Sequence, residues 1–129
     1  MLRCLPQHVN SDGRQGMRFI QVGVGGMGRH WSTVLEENRR AKVVGLVDIK
    51  REAMREACDK HGHSESICFT SLEEALSRVD ADALVCVTPP ASHREVTVAG
   101  LRAGLNVITE KPMAETMADC RAMLRASAR

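Results

Sequence analysis

A doubly wound α/β fold, a parallel sheet of about five strands with helices on both faces, is predicted by three features of this sequence. Short runs rich in Val and Ile alternate with segments of helical periodicity, no hairpin signal separates them, and the strand-then-helix order repeats along the chain. Strands joined in that way lie parallel and are connected by right-handed crossovers. A length of 129 residues suits one domain of this kind.

The strands are expected at 17–23, 43–48, 67–69, 83–88 and 106–109. They are mostly apolar because a sheet covered on both faces buries most of its side chains. Between the first two, Met27, Trp31, Val34 and Leu35 fall on one face of a helix; next, Ala53, Met54, Ala57 and Cys58 fall on another. A third helix carries Leu72, Ala75, Leu76 and Val79, with Ser71 and Glu74 spaced as a capping box. Ser92 with Glu95 has the same spacing at the head of a fourth, which carries Val96, Ala99 and Ala103. Gly62 and Gly104 stand where helices end in a left-handed residue. A fifth helix begins near Glu115, with Met117, Cys120 and Leu124 on one side.

Composition narrows the function. Hydrophobic residues at 43% and charged residues at 26% describe a folding chain and exclude a disordered or collagen-like one. A net charge of +2 and 2% aromatic residues supply neither the basic field nor the stacking platforms of a nucleic-acid binder. No apolar run nears the roughly 20 residues of a membrane span, and residues 1–16 lack the apolar region of a signal peptide, so a cytoplasmic protein without a membrane partner is expected. Those sixteen residues are polar and aperiodic and read as a flexible tail, leaving 17–129 as the folded domain. The five cysteines, Cys4, Cys58, Cys68, Cys86 and Cys120, are odd in number and form no C-x-x-C pair. Reduced thiols are therefore expected, with neither a metal site nor a disulfide framework.

Chemistry enters where the first strand meets the first helix. Gly23-Val24-Gly25-Gly26-Met27-Gly28 reads G-x-G-x-x-G. In that pattern the first glycine permits the tight turn, the second lets backbone approach a pyrophosphate, and the third allows the helix to pack against the strand. Free N–H groups and the positive end of the helix dipole hold the phosphates. Asp48, at the end of the second strand, follows Gly28 by 20 residues, the separation expected of a carboxylate that accepts both hydroxyls of an adenosine ribose. Such a carboxylate repels a 2′-phosphate, which favours NAD over NADP; Lys50 and Arg51 just beyond could instead receive that phosphate. Thr88-Pro89-Pro90-Ala91-Ser92-His93 turns the chain out of the sheet after the fourth strand. Glu110-Lys111-Pro112 follows the fifth, with Pro112 holding Lys111 extended. All of these segments fall at the carboxyl ends of strands, where open α/β sheets bind ligands. Taken singly, Lys111 reads as a surface lysine at a turn, His93 as the start of a helix, and Trp31 as a core residue.

These residues resemble the Gfo/Idh/MocA oxidoreductases, which include glucose-fructose oxidoreductase and inositol dehydrogenases. The likeness runs through FIQVGVGGMGRH, the strand ending in Asp48, and ALVCVTPPASHREVTVAGLRAGLNVITEKP. It implies a Rossmann domain in which Gly23, Gly25, Gly26, Met27 and Gly28 meet the pyrophosphate and Asp48 the ribose. Thr88, Pro89 and His93 would lie along the cofactor, with Glu110 near the nicotinamide. Lys111 would face a sugar, inositol or related polyol during hydride transfer. Pro90 departs from the commoner Asn at its position. In the family a further strand and a substrate domain follow. This chain stops at Arg129, so the resemblance implies a cofactor domain inactive alone, with surfaces that favour self-association. A non-catalytic NAD-sensing module is the alternative; a methyltransferase site would suit the glycine loop but not Glu110-Lys111-Pro112.

Overall fold

The computed structural model describes residues 16–128, and the expected tail, except Gly16, lies outside them. Five strands, β1 (Met17–Val22), β2 (Ala41–Val47), β3 (Cys68–Phe69), β4 (Ala83–Cys86) and β5 (Asn106–Thr109), alternate with five α-helices. These are α1 (Met27–Glu37), α2 (Arg51–His61), α3 (Leu72–Arg78), α4 (His93–Arg102) and α5 (Met117–Ser127). Every strand pairing is parallel, and the order across the sheet is β3-β2-β1-β4-β5. The order reverses between β1 and β4, and a crevice opens at their carboxyl ends.

Both faces of the sheet are covered, as the continuous apolar runs require. Phe19, Val43, Leu46 and Val85 pack with Leu35 of α1 and Met54, Ala57 and Cys58 of α2. Ile20, Val22, Leu84 and Cys86 pack on the opposite face with Ala75 of α3 and Val96 of α4. Ile20, Leu46 and Leu84 are each no more than 1% exposed, and burial of such a side chain contributes about 2 kcal/mol. At the amino ends, the Arg18 amide and guanidinium bond the Asp82 carboxylate at 2.8–3.0 Å, and the Asp82 amide returns a bond to the Arg18 carbonyl.

Several elements depart from the sequence reading. β1, β2 and β4 end before the expected residue, because the chain leaves the sheet as soon as the ligand-edge turns begin. Gly28, Ser32 and Leu35 form the inner line of α1, which leaves Met27 and Val34 outside. Ser71 caps α3 as expected, accepting from the Glu74 amide. Ser92 makes no capping bond; it ends a 3₁₀ turn, Pro90–Ser92, that runs directly into α4. Thr116 caps α5 through the Asp119 amide. The inward residue of α5 is Met123, whereas Met117 and Leu124 are 66% and 64% exposed.

Candidate nucleotide-binding site

Backbone bonds bring the predicted segments to one edge. The Gly23 amide donates to the Val47 carbonyl, Val87 to Val22, and Glu110 to Cys86, so the turns after β1, β2, β4 and β5 are knitted side by side. Gly23 has φ 94°, and a Cβ there would lie 2.5 Å from the Val87 carbonyl oxygen. A Cβ on Gly28 would lie 2.3 Å from the Gly23 carbonyl oxygen. Both positions therefore exclude any side chain. Gly25 and Gly26 differ: nothing lies within 4 Å of a Cβ at either position, and among the described residues neither amide has an acceptor. This open cradle with free donors at the start of α1 fits a dinucleotide pyrophosphate. Met27, 57% exposed, stands at the same opening.

The loop is braced from below by residues that the motif does not include. Gln21 is fully buried in β1, and its amide nitrogen donates to the carbonyls of Gly23 and Gly28 at 2.8 and 2.7 Å. Its carbonyl accepts from the Ser32 hydroxyl at 3.0 Å. A polar side chain inside an apolar strand just before a glycine turn was the available sequence signal. Asp48 braces the loop from β2: one carboxylate oxygen accepts from the Val24 amide at 3.0 Å and the other from the Lys50 amide at 2.9 Å. Each oxygen keeps a further lone pair for a ribose hydroxyl. Arg29, beside the loop, pairs with Glu56 at 3.0 Å on the exposed surface.

Across the crevice stands the turn carrying Lys111. Glu110 accepts from the Trp31 indole N–H at 2.6 Å through one oxygen and from the Lys111 amide at 3.2 Å through the other. The indole bond first, and the amide second, hold its carboxyl below the ordinary range. Trp31 thus ties α1 to this turn, a contact between residues 79 positions apart. His93 is 1% exposed, with Nδ1 2.8 Å from the Pro112 carbonyl oxygen and Nε2 2.8 Å from that of Thr88. The resemblance sets it along the cofactor; the structure shows it beneath the two turns that it bonds. Both nitrogens are occupied beneath the surface, where they join the turn after β4 to the turn after β5. Thr88 is half-buried, with Oγ1 3.3 Å from the Cys86 sulfur, and Pro89 is exposed at the rim. Lys111 is exposed, and its ammonium has no ion-pair partner among the described residues. A cleft of about 1010 Å³ between α4 and α5 is lined by none of these residues. The bonding geometry, and not cavity size, marks the site.

A parallel sheet of order 3-2-1-4-5 with a glycine turn over its switch point defines a dinucleotide-binding domain of the Rossmann type. The family model for Gfo/Idh/MocA, an oxidoreductase family with an NAD-binding Rossmann fold, matches residues 17–129. The chain belongs to that family. It is 33% identical to a 4-carboxy-2-hydroxymuconate-6-semialdehyde dehydrogenase of Sphingobium over 86% of this chain and 35% of the relative. It is 32% identical to the 1,5-anhydro-D-fructose reductase of Ensifer adhaerens over 85% of this chain and 32% of that protein. Among solved structures, the WlbA dehydrogenase from Bordetella pertussis, in complex with NADH and UDP-GlcNAcA, superposes with a TM-score of 0.80 at 31% identity, covering 88% of this chain and 34% of that one. The chain spans about a third of the length of these relatives. No helix among the described residues is long and apolar enough to cross a membrane, and none of their His, Cys, Asp and Glu side chains cluster as a metal site.

Proposed function

We propose that this chain holds NAD as the nucleotide-binding part of an oxidoreductase that moves a hydride between NAD and a sugar, inositol or related polyol. The observation that carries the reading is the placement of an unpaired Lys111 ammonium on a braced turn at the same sheet edge as the open Gly25–Gly26 cradle. Bound NAD supplies the hydride acceptor. Gly25 and Gly26 would receive the pyrophosphate on their amides, and Asp48 would take the ribose hydroxyls while repelling a 2′-phosphate. Lys111, cationic at neutral pH, would orient the reacting hydroxyl and stabilise alkoxide character as the hydride departs. Glu110 would fix the backbone from which the lysine projects. The carbohydrate class is supported by the anhydrofructose reductase and by the sugar nucleotide in the WlbA complex.

Proton transfer from the alcohol needs a second basic group. Among the described residues, Glu110 and His93 near Lys111 are already bonded, to Trp31 and to the Pro112 and Thr88 carbonyls, so that group would come from a part of the enzyme outside this chain. Calorimetric titration of the 129-residue chain should show NAD binding more tightly than NADP, with no turnover of sugars or inositols. NADP binding at least as tightly would overturn the Asp48 assignment, and robust turnover would overturn the division of labour. Lys111→Ala should leave NAD affinity nearly unchanged; a large loss would make the lysine a cofactor anchor and not a substrate-facing group.

A further inference from the structure

Beneath the ribose side of the crevice, two thiols touch. Cys58, in the last turns of α2, is 1% exposed, and its sulfur lies 3.3 Å from that of Cys68, the first residue of β3. Both are free, and Cys68 is only half-buried. Cys86 is buried beside Thr88, and Cys120 has no thiol neighbour among the described residues.

We propose that Cys58 and Cys68 form an oxidisable dithiol site for hydroperoxides, with Cys68 as the attacking thiol and Cys58 as the resolving one. The division follows from access. Cys68 is partly exposed, whereas Cys58 is covered, and burial together with the neighbouring sulfur pushes its thiol up to about 12. The Cys68 thiolate attacks one peroxide oxygen; the O–O bond breaks, leaving a sulfenic acid on Cys68 and releasing water or an alcohol. The Cys58 sulfur then attacks the Cys68 sulfur; the S–O bond breaks, and hydroxide leaves with the Cys58 proton as water. Two electrons pass from the thiols to the peroxide. Bond formation closes the sulfurs from 3.3 Å to about 2.05 Å, drawing α2 and β3 together.

That contraction reaches the nucleotide edge. β3 pairs with the end of β2, and the Phe69 carbonyl, next to Cys68, accepts the Asp48 amide at 3.2 Å. The expected effect, which rests on the ribose role proposed for Asp48, is a severalfold weaker affinity for NAD in the oxidised chain.

The test is hydrogen peroxide titration of the full chain, followed by non-reducing peptide mapping and NAD calorimetry before and after dithiothreitol. A Cys58–Cys68 linkage is expected as the first product, reversible by dithiothreitol, with NAD affinity falling and recovering in step. Cys58→Ala should leave a sulfenic acid on Cys68 that dimedone traps, and Cys68→Ala should leave Cys58 reduced. Free thiols at both positions, a sulfinic acid at Cys68 in the unmodified chain, or earlier crosslinking of Cys120 would overturn the site. Equal NAD affinity in the two states would overturn the coupling. Failure of the reduced chain to bind NAD would instead break the functional reading while the mapped linkage stood.

Discussion

The two sides of the crevice are held in different ways. On the β1 side, the support is mostly local: Gln21 and Ser32 grip a six-residue loop from within the same βα unit, Asp48 joins from the end of β2, and Gly23 and Gly28 leave no room for a methyl group. On the β5 side, the turn of Glu110 to Pro112 hangs from Trp31, 79 positions away, and from His93 at the head of the preceding helix, and beyond it Met113, Met117 and Leu124 stand exposed. The glycine loop is held within β1, α1 and the end of β2. The lysine turn is positioned by long-range contacts, so its geometry depends on the completed sheet.

The largest effect should separate the glycines of the first side. Gly28→Ala presses a methyl group against the Gly23 carbonyl and should cost about 1–3 kcal/mol, measured by urea denaturation. Gly25→Ala, in open space, should change stability by about 0.5 kcal/mol or less while weakening NAD binding. An equal loss of stability at both positions would break the distinction between packing and ligand-facing glycines.

A smaller effect tests the second side. The Glu110 carboxyl is held below its ordinary value of 4.5 in the folded chain, so its contribution is complete above that pH and is lost as pH falls through the lowered folded value. Protonation removes the charge that the Trp31 indole bonds. Because Trp31 is the only tryptophan, its emission should shift over that acid range, and Glu110→Gln should abolish the shift. An unchanged titration in the variant would show that Glu110 is not the group bonded to the indole.

The smallest effect is expected on the outer face of α5. Leu124→Lys should alter thermal stability only slightly, since the side chain is 64% exposed. A substantial loss of stability would mean that Leu124 packs within the domain.

The contrast also explains what could be read in advance. Five parallel strands and the glycine loop were legible because apolar runs, turn residues and a fixed spacing are local signals. Its distance from Gly28 singles out Asp48, whose carboxylate the structure puts on the Val24 amide. Helical periodicity marks Trp31 as core, but nothing local marks its bond to Glu110, a partner 79 residues away. The burial of His93 depends on two turns folding over it, which no local signal in the sequence marks. On α5, Met117 and Leu124 share one helical face with the right period for a core. Periodicity cannot say which face meets α4, and Met123 took that place.

The pairing of Phe19 with Ala83 and the Arg18–Asp82 bonds each join residues 64 positions apart. β1 and β2, by contrast, meet across a much shorter segment, Met17 against Ala41. The crevice between β1 and β4 therefore exists only after the long loop has closed, and closing it costs more chain entropy than forming the first strand pair. A dinucleotide lodged there distinguishes the finished domain from every partly assembled one, and occupancy by the cofactor becomes a thermodynamic brake on unfolding that tightens with its concentration.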